Sequence, residues 1–184
     1  AIDGSKAEVP NSAENRERFG KSNNQHSELG QIRALVSGLY DILNQFYLDI
    51  EISHISTSET ELAKKNLNHL KHMNIKQPVL VIFDRGYPSM EFVDFLETEK
   101  IKHLFRLSSN DYKFERKNMV STDEAVILRH THQRLEKIRK RHPDRFEHMK
   151  EKVSTHTRIM TSILPSGKEL ALMTNLPFEI SQKE

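Results

Sequence analysis

At 184 residues the chain is long enough for one domain with a substantial core and too short for two large ones. With 36% hydrophobic and 29% charged residues, no apolar run reaches membrane-spanning length, and no basic-then-apolar leader opens the chain. Cysteine is absent, which excludes disulfides and thiolate metal sites and fits a cytoplasmic protein. The net charge of +2 announces no polyanionic partner, but charge is uneven. Between Arg129 and Lys152 nine basic residues stand against four acidic ones, which fits either a solvated helix face or a phosphate-facing patch.

The opening AIDGSK has the pattern of a strand end, with Asp3 followed at once by Gly4. A strand that starts at the first residue would lack its first half, so the chain is expected to be a piece of something longer. Residues 8–25 are polar and punctuated by Pro10, Asn11 and Gly20, the composition of a loop. Residues 31–40 alternate Ile32, Ala34 and Val36 against Arg33, Leu35 and Ser37. Residues 46–52 alternate Phe46, Leu48, Ile50 and Ile52 against Tyr47, Asp49 and Glu51. Both predict period-two strands joined as a hairpin, the second near a sheet edge with its polar positions outward. Ser58 and Glu61 form a capping-box pattern that opens a helix to about His72, with Leu62, Asn66, Leu70 and Met73 on one face.

PVLVIFDRGYPS, residues 78–89, comes next. Val79 to Phe83 predict a buried strand that stops at Asp84, and Gly86 and Pro88 suit the turn that follows. Met90, Val93 and Leu96 then recur at helical spacing, with Asp94, Glu97 and Glu99 expected outward, and residues 101–107 form the next strand. Residues 110–122 are irregular, Ala125–Leu128 a short strand, and residues 131–152 a basic helix broken at Pro143. Residues 153–164 and 169–176 form a hairpin around PSGK.

Three antiparallel strands followed by two parallel ones with crossover helices is the pattern of a ribonuclease-H-like α/β sheet. Residues 1–109 would form that core and residues 110–184 a mixed helix and β-hairpin insertion. In such a sheet the first and fourth strands are neighbours about 4.8 Å apart. Asp3 and Asp84 would then lie within a few ångströms of each other, where two carboxylates repel unless a cation sits between them. Oxygen-only donors suit Mg²⁺ or Mn²⁺. His130 with His132, and His69 with His72, are spaced as ligand pairs, but no third ligand is evident for either.

AIDGSK with the following VPNSAEN, then VIFDRGYPSMEFVDFL, then LMTNLPFE, resembles the catalytic domain of DDE transposases of bacterial insertion sequences, specifically the insertion-sequence-four group. The resemblance implies that Asp3 and Asp84 are the first two acidic residues of the catalytic, metal-holding triad. It implies two Mg²⁺ or Mn²⁺ ions in the complete site, Asp3 bridging both and Asp84 holding one. The third carboxylate would be a Glu on a helix bearing Tyr, Arg, Glu and Lys, expected beyond residue 184; Glu179 belongs to the NLPFE segment instead. The implied reaction is cleavage of double-stranded DNA at transposon ends followed by strand transfer, by a protein dimeric on DNA, with this piece inactive for want of the Glu. Arg85, Tyr87, Lys137, Arg139, Lys140 and Arg141 are the expected DNA contacts. A structure-selective nuclease of the same fold, or a non-catalytic DNA- or protein-binding module, are the alternatives.

Overall fold

The computed structural model describes residues 1–24 and 27–180, which divide into two units, Ala1–Pro78 and Val79–Glu184. The first unit runs β1 (Ile2–Glu8), α1 (Ala13–Phe19), β2 (Lys21–Asn24), β3 (Ser27–Asp41), β4 (Phe46–His54) and α2 (Glu59–His72). β3 is its central strand, antiparallel to β1 along Ile2↔Leu39 to Glu8↔Arg33 and to β4 along Ala34↔His54 to Asp41↔Phe46. Residues 8–25, expected as loop, instead contain α1 and β2; Gln25 lies outside the described residues. α1 buries no residue, so it carries no apolar stripe for periodicity to detect. Its start is local chemistry: the Ser12 hydroxyl accepts from Asn15 N at 3.1 Å, and Gly20 closes it at φ 82°.

α2 is capped as expected by Ser58, whose oxygen accepts from Glu61 N at 3.2 Å. Glu61 itself turns to Lys64 at 2.8 Å, so only half of the capping box forms. The helix covers the sheet face that carries Ile2, Leu35, Ser37 and Leu39, burying Leu62, Ala63, Asn66 and Leu67 against them. On β3 burial changes face between Ala34 and Leu35, because α1 packs toward one end of the strand and α2 toward the other. The orientation expected for β4 is reversed. Asp49 and Glu51 face α2, with side chains 17% and 18% exposed, while Phe46, Ile50 and Ile52 look outward. Alternation distinguishes two faces of a strand without saying which one a helix will cover.

The second unit runs β5 (Leu80–Phe83), α3 (Met90–Thr98), β6 (Lys102–Leu107), α4 (Lys113–Lys117), β7 (Asp123–Arg129), α5 (His132–Arg141), α6 (Pro143–Lys152), β8 (Ser154–Ile163) and β9 (Glu169–Thr174), with a 3-10 turn at Phe178–Ile180. β5 and β6 are parallel, and β9, β8 and β7 continue the sheet antiparallel from β6, which makes it mixed. β5 buries Val81 and Phe83 on one face and leaves Leu80 exposed, so it is less enclosed than its apolar run predicted. The basic helix breaks where proline demands: His142 leaves helical angles and Pro143 takes the first position of α6.

α3 departs from its expected orientation. Asp94, expected outward, is fully buried, 3.1 Å from Arg145 Nη2 and 3.0 Å from His148 Nε2, and paired with Lys152 Nζ. Glu91 is buried too, 3.8 Å from His142. Asp94 follows Met90 by four residues and so shares its side of the helix, and α6 packs over that side and brings Arg145 and Lys152 to it. Arg158 on β8 makes a comparable tie, gripping Asp123 of β7 through Nε at 2.6 Å, donating to Pro177 O at 2.7 Å and stacking 4.4 Å over Phe178.

His103 on β6 is buried, and burial pushes its imidazole down to about 4 from 6.5. The nearby Glu97 carboxyl is pushed up, also by burial. For His103 the unfolded chain binds a proton near pH 6.5 and the folded one only near pH 4, so its contribution is complete above pH 6.5 and declines as pH falls toward 4. Urea titrations at pH 7 and pH 4.5 should differ by about 2 kcal/mol from this group, and His103→Leu should flatten that slope; an unchanged slope would assign it to other groups.

Candidate active site

The PVLVIFDRGYPS stretch folds as a short exposed loop held between two buried anchors. Phe83 ends β5 and Tyr87 follows the turn; each is 1% exposed, and their rings lie 5.4 Å apart. Between them Asp84, Arg85 and Gly86 are exposed. Tyr87 N donates to Asp84 O at 3.3 Å, and Ser89 caps α3 by accepting from Phe92 N at 3.2 Å. Among the described glycines at positive φ Gly86 is absent, so the turn does not use the freedom that glycine offered. Asp84 sits at the carboxyl end of a parallel strand, the end at which α/β sheets place ligands. Its side chain is 61% exposed.

The parallel register of β5 on β6, with Phe83 opposite Phe105, carries Arg106 alongside Asp84. Their charged atoms are 4.0 Å apart and both are half exposed, so the pair contributes little to stability and leaves both groups available. Arg106 went unnoticed in the sequence, where its only signal was a charge interrupting the apolar run HLFRL.

Asp3 lies in the first unit, exposed on β1, with Oδ1 accepting from Gly4 N at 2.9 Å. A Cβ at Gly4 would stand 2.7 Å from Cγ of Glu59 at the start of α2, so a larger residue there would have to displace that side chain. Asp3 points to the face opposite α2, which it shares with Val36, Ile50 and Ile52.

The remaining expected residues separate. Tyr87 is buried among Phe83 and Phe92, so it serves the core and not a ligand surface. Arg85 and Lys140 are exposed, and Arg139 is paired with Glu136 at 2.7 Å. Lys137 and Arg141, four residues apart, face one groove of about 270 Å³ between α5, the start of α3 and the loop at residues 110–112. Arg134 lines it too, held by Glu115 at 2.8 Å and lying over the Tyr112 ring. Of the basic stretch, α6 thus gives cations to Asp94, while α5 presents its own.

The histidine pairs divide. His130 is buried, bonded to Met149 O at 2.6 Å and Thr155 Oγ1 at 2.9 Å, a structural role. His72 bonds Asn68 O at 2.7 Å. His69 gains partners that sequence spacing could not indicate, Asp49 and Glu51 of β4. No helix among the described residues is long and apolar enough to cross a membrane.

A family model described as "Transposase DDE domain" matches residues 1–184. A solved structure, the cryo-EM structure of piggyBac transposase synaptic complex with hairpin DNA, is similar at a TM-score of 0.52 and 13% identity. The match covers 100% of this chain and 34% of that one, so this chain spans about a third of that protein's length. The likeness carries the fold, a mixed α/β arrangement of ribonuclease-H-like type. No curated protein matches the chain.

Proposed function

The chain belongs to the transposase DDE domain family, and from that premise we propose that it carries two of the carboxylates of a divalent-metal site for DNA cleavage and strand transfer, Asp3 and Asp84. The observation that carries this reading is Asp84, exposed at the carboxyl end of a parallel strand between two buried aromatic anchors, within a family-matched chain. Asp3 and Asp84 offer carboxylate oxygens only, both exposed, a donor set that fits Mg²⁺ or Mn²⁺. When bound, such ions supply charge neutralisation at the phosphoryl group and an activated attacking oxygen.

The chain's own residues then divide the remaining work. Arg85, exposed next to Asp84 in the chain, and Arg106, exposed 4.0 Å from it, would hold a phosphate of double-stranded DNA. Lys137 and Arg141 would contact the backbone further along, with Arg139 and Lys140 as outer contacts; such contacts position DNA without reading its sequence. The face carrying Asp3 exposes Ile50 and Ile52, an apolar floor on which a helix carrying the third carboxylate would pack. Residues 1–109 act as the core and 110–184 as the insertion of an insertion-sequence-four-type enzyme, dimeric on DNA and cytoplasmic.

Mn²⁺ titration of the chain, in a His69→Ala background that silences the other carboxylate cluster, tests the ligands. Asp84→Asn and Asp3→Asn should each weaken binding; isotherms identical to the parent's would remove that residue as a ligand. In the full-length protein either change should abolish Mg²⁺-dependent nicking of transposon-end DNA. Preference for branched DNA over transposon ends would favour a structure-selective nuclease.

A further inference from the structure

Asp49 and Glu51 stand two residues apart on the same side of β4, and His69 reaches toward both from α2. His69 Nδ1 lies 3.0 Å from Asp49 Oδ2 and 3.4 Å from Glu51 Oε1, and one ligand atom from each of the three residues falls within 4.8 Å of the others. The carboxylates are mostly buried, whereas the imidazole is 49% exposed. Even a protonated His69 would leave the trio with one net negative charge, and a neutral one would leave two. Asp49 is also held from behind. Asn66 Nδ2 donates to its Oδ2 at 2.8 Å, and Asn66 Oδ1 accepts from Ser37 Oγ at 2.7 Å. Both Ser37 and Asn66 are fully buried, a polar relay in an otherwise apolar contact between α2 and the sheet. Relays of this kind orient metal-ligating groups.

We propose that Asp49, Glu51 and His69 form a divalent-metal site, of the Zn²⁺ class, that staples α2 to β4. Tetrahedral ligand bonds of 2.0–2.1 Å set neighbouring donors about 3.3–3.4 Å apart around one ion, and His69 Nδ1 already stands 3.4 Å from Glu51 and 3.0 Å from Asp49, so a small outward shift of Asp49 completes that spacing. One imidazole with two carboxylates is a mixed donor set suited to zinc or manganese rather than magnesium, and three protein ligands leave a position for water. His69 would bind as the neutral ring through Nδ1. The site is separate from the Asp3 and Asp84 carboxylates and does not depend on their role.

The competing account is a salt bridge in which protonated His69 is itself the cation. His69→Lys separates the two, since lysine keeps a positive charge opposite the carboxylates but offers no imidazole nitrogen. The side chain is half exposed, so neither this variant nor His69→Ala threatens folding. The experiment is calorimetric titration of the chain with Zn²⁺, with thermal unfolding in parallel, in an Asp3→Asn, Asp84→Asn background. One zinc should bind and raise the Tm. His69→Ala and His69→Lys should each weaken binding beyond the about 10–100-fold that losing an outer-shell partner causes, and abolish the rise in Tm. Zinc binding unchanged in His69→Lys, or no zinc-dependent rise in the parent, would overturn the proposal.

Discussion

Asp94→Ala is expected to destabilise the second unit by about 3 kcal/mol, at the lower end of the range for removing one partner of a buried ion pair. The carboxylate is fully buried, and it faces Arg145, His148 and Lys152, all from α6. Removing it leaves Arg145 and Lys152 close together without the buried carboxylate that accepts their hydrogen bonds. These partners keep partial contact with water, at 27%, 48% and 35% exposure, which is why the larger figures do not apply. Urea denaturation should show a lower midpoint. Asp94→Leu should cost less than Asp94→Ala if packing can take over from charge. Equal midpoints for Asp94→Ala and the parent would show that α6 does not depend on this carboxylate.

Phe83→Ala is expected to have the largest effect on stability, about 3–5 kcal/mol. The ring is 1% exposed, stacks on Phe105 at 5.0 Å and meets Phe92 edge-on at 5.2 Å, with Tyr87 at 5.4 Å. It is the meeting point of β5, β6, α3 and the turn, so its loss opens a cavity that no neighbour can fill without moving. It also anchors one end of the exposed Asp84–Gly86 loop. Phe83→Ala should therefore weaken Mn²⁺ binding at Asp84 as well as lower the midpoint. Phe83→Leu, which retains most of the volume, should cost no more than about 1.5 kcal/mol. Equal losses for the two variants would mean that stacking, not volume, holds the loop.

Much of the fold was legible because its signals are local. Period-two alternation marked β3, β4 and β8, Pro143 marked the break between α5 and α6, a polar N-cap marked α2, and apolar residues at helical spacing marked α3. α1 was missed because a helix without a buried stripe has no periodicity to read. The position of Asp84 followed from an apolar run ending in a carboxylate before a turn. Tyr87 followed the same motif yet turned into the core, since nothing in DRGYPS distinguishes a ring that anchors a loop from one that meets a ligand.

The sequence by itself determined a mixed α/β chain with Asp84 at the end of a strand, because strand alternation, helix caps and proline act over a few residues, while its motifs carried the resemblance to DDE transposases. Only the tertiary structure decided that Asp94 faces inward, that β4 turns its acids toward α2, that Arg106 stands beside Asp84, and that His69 has carboxylates to meet. Each depends on which face another element covers, and so on contacts between residues far apart in the chain. Local periodicity gives a strand or helix two faces and is indifferent to which of them is buried.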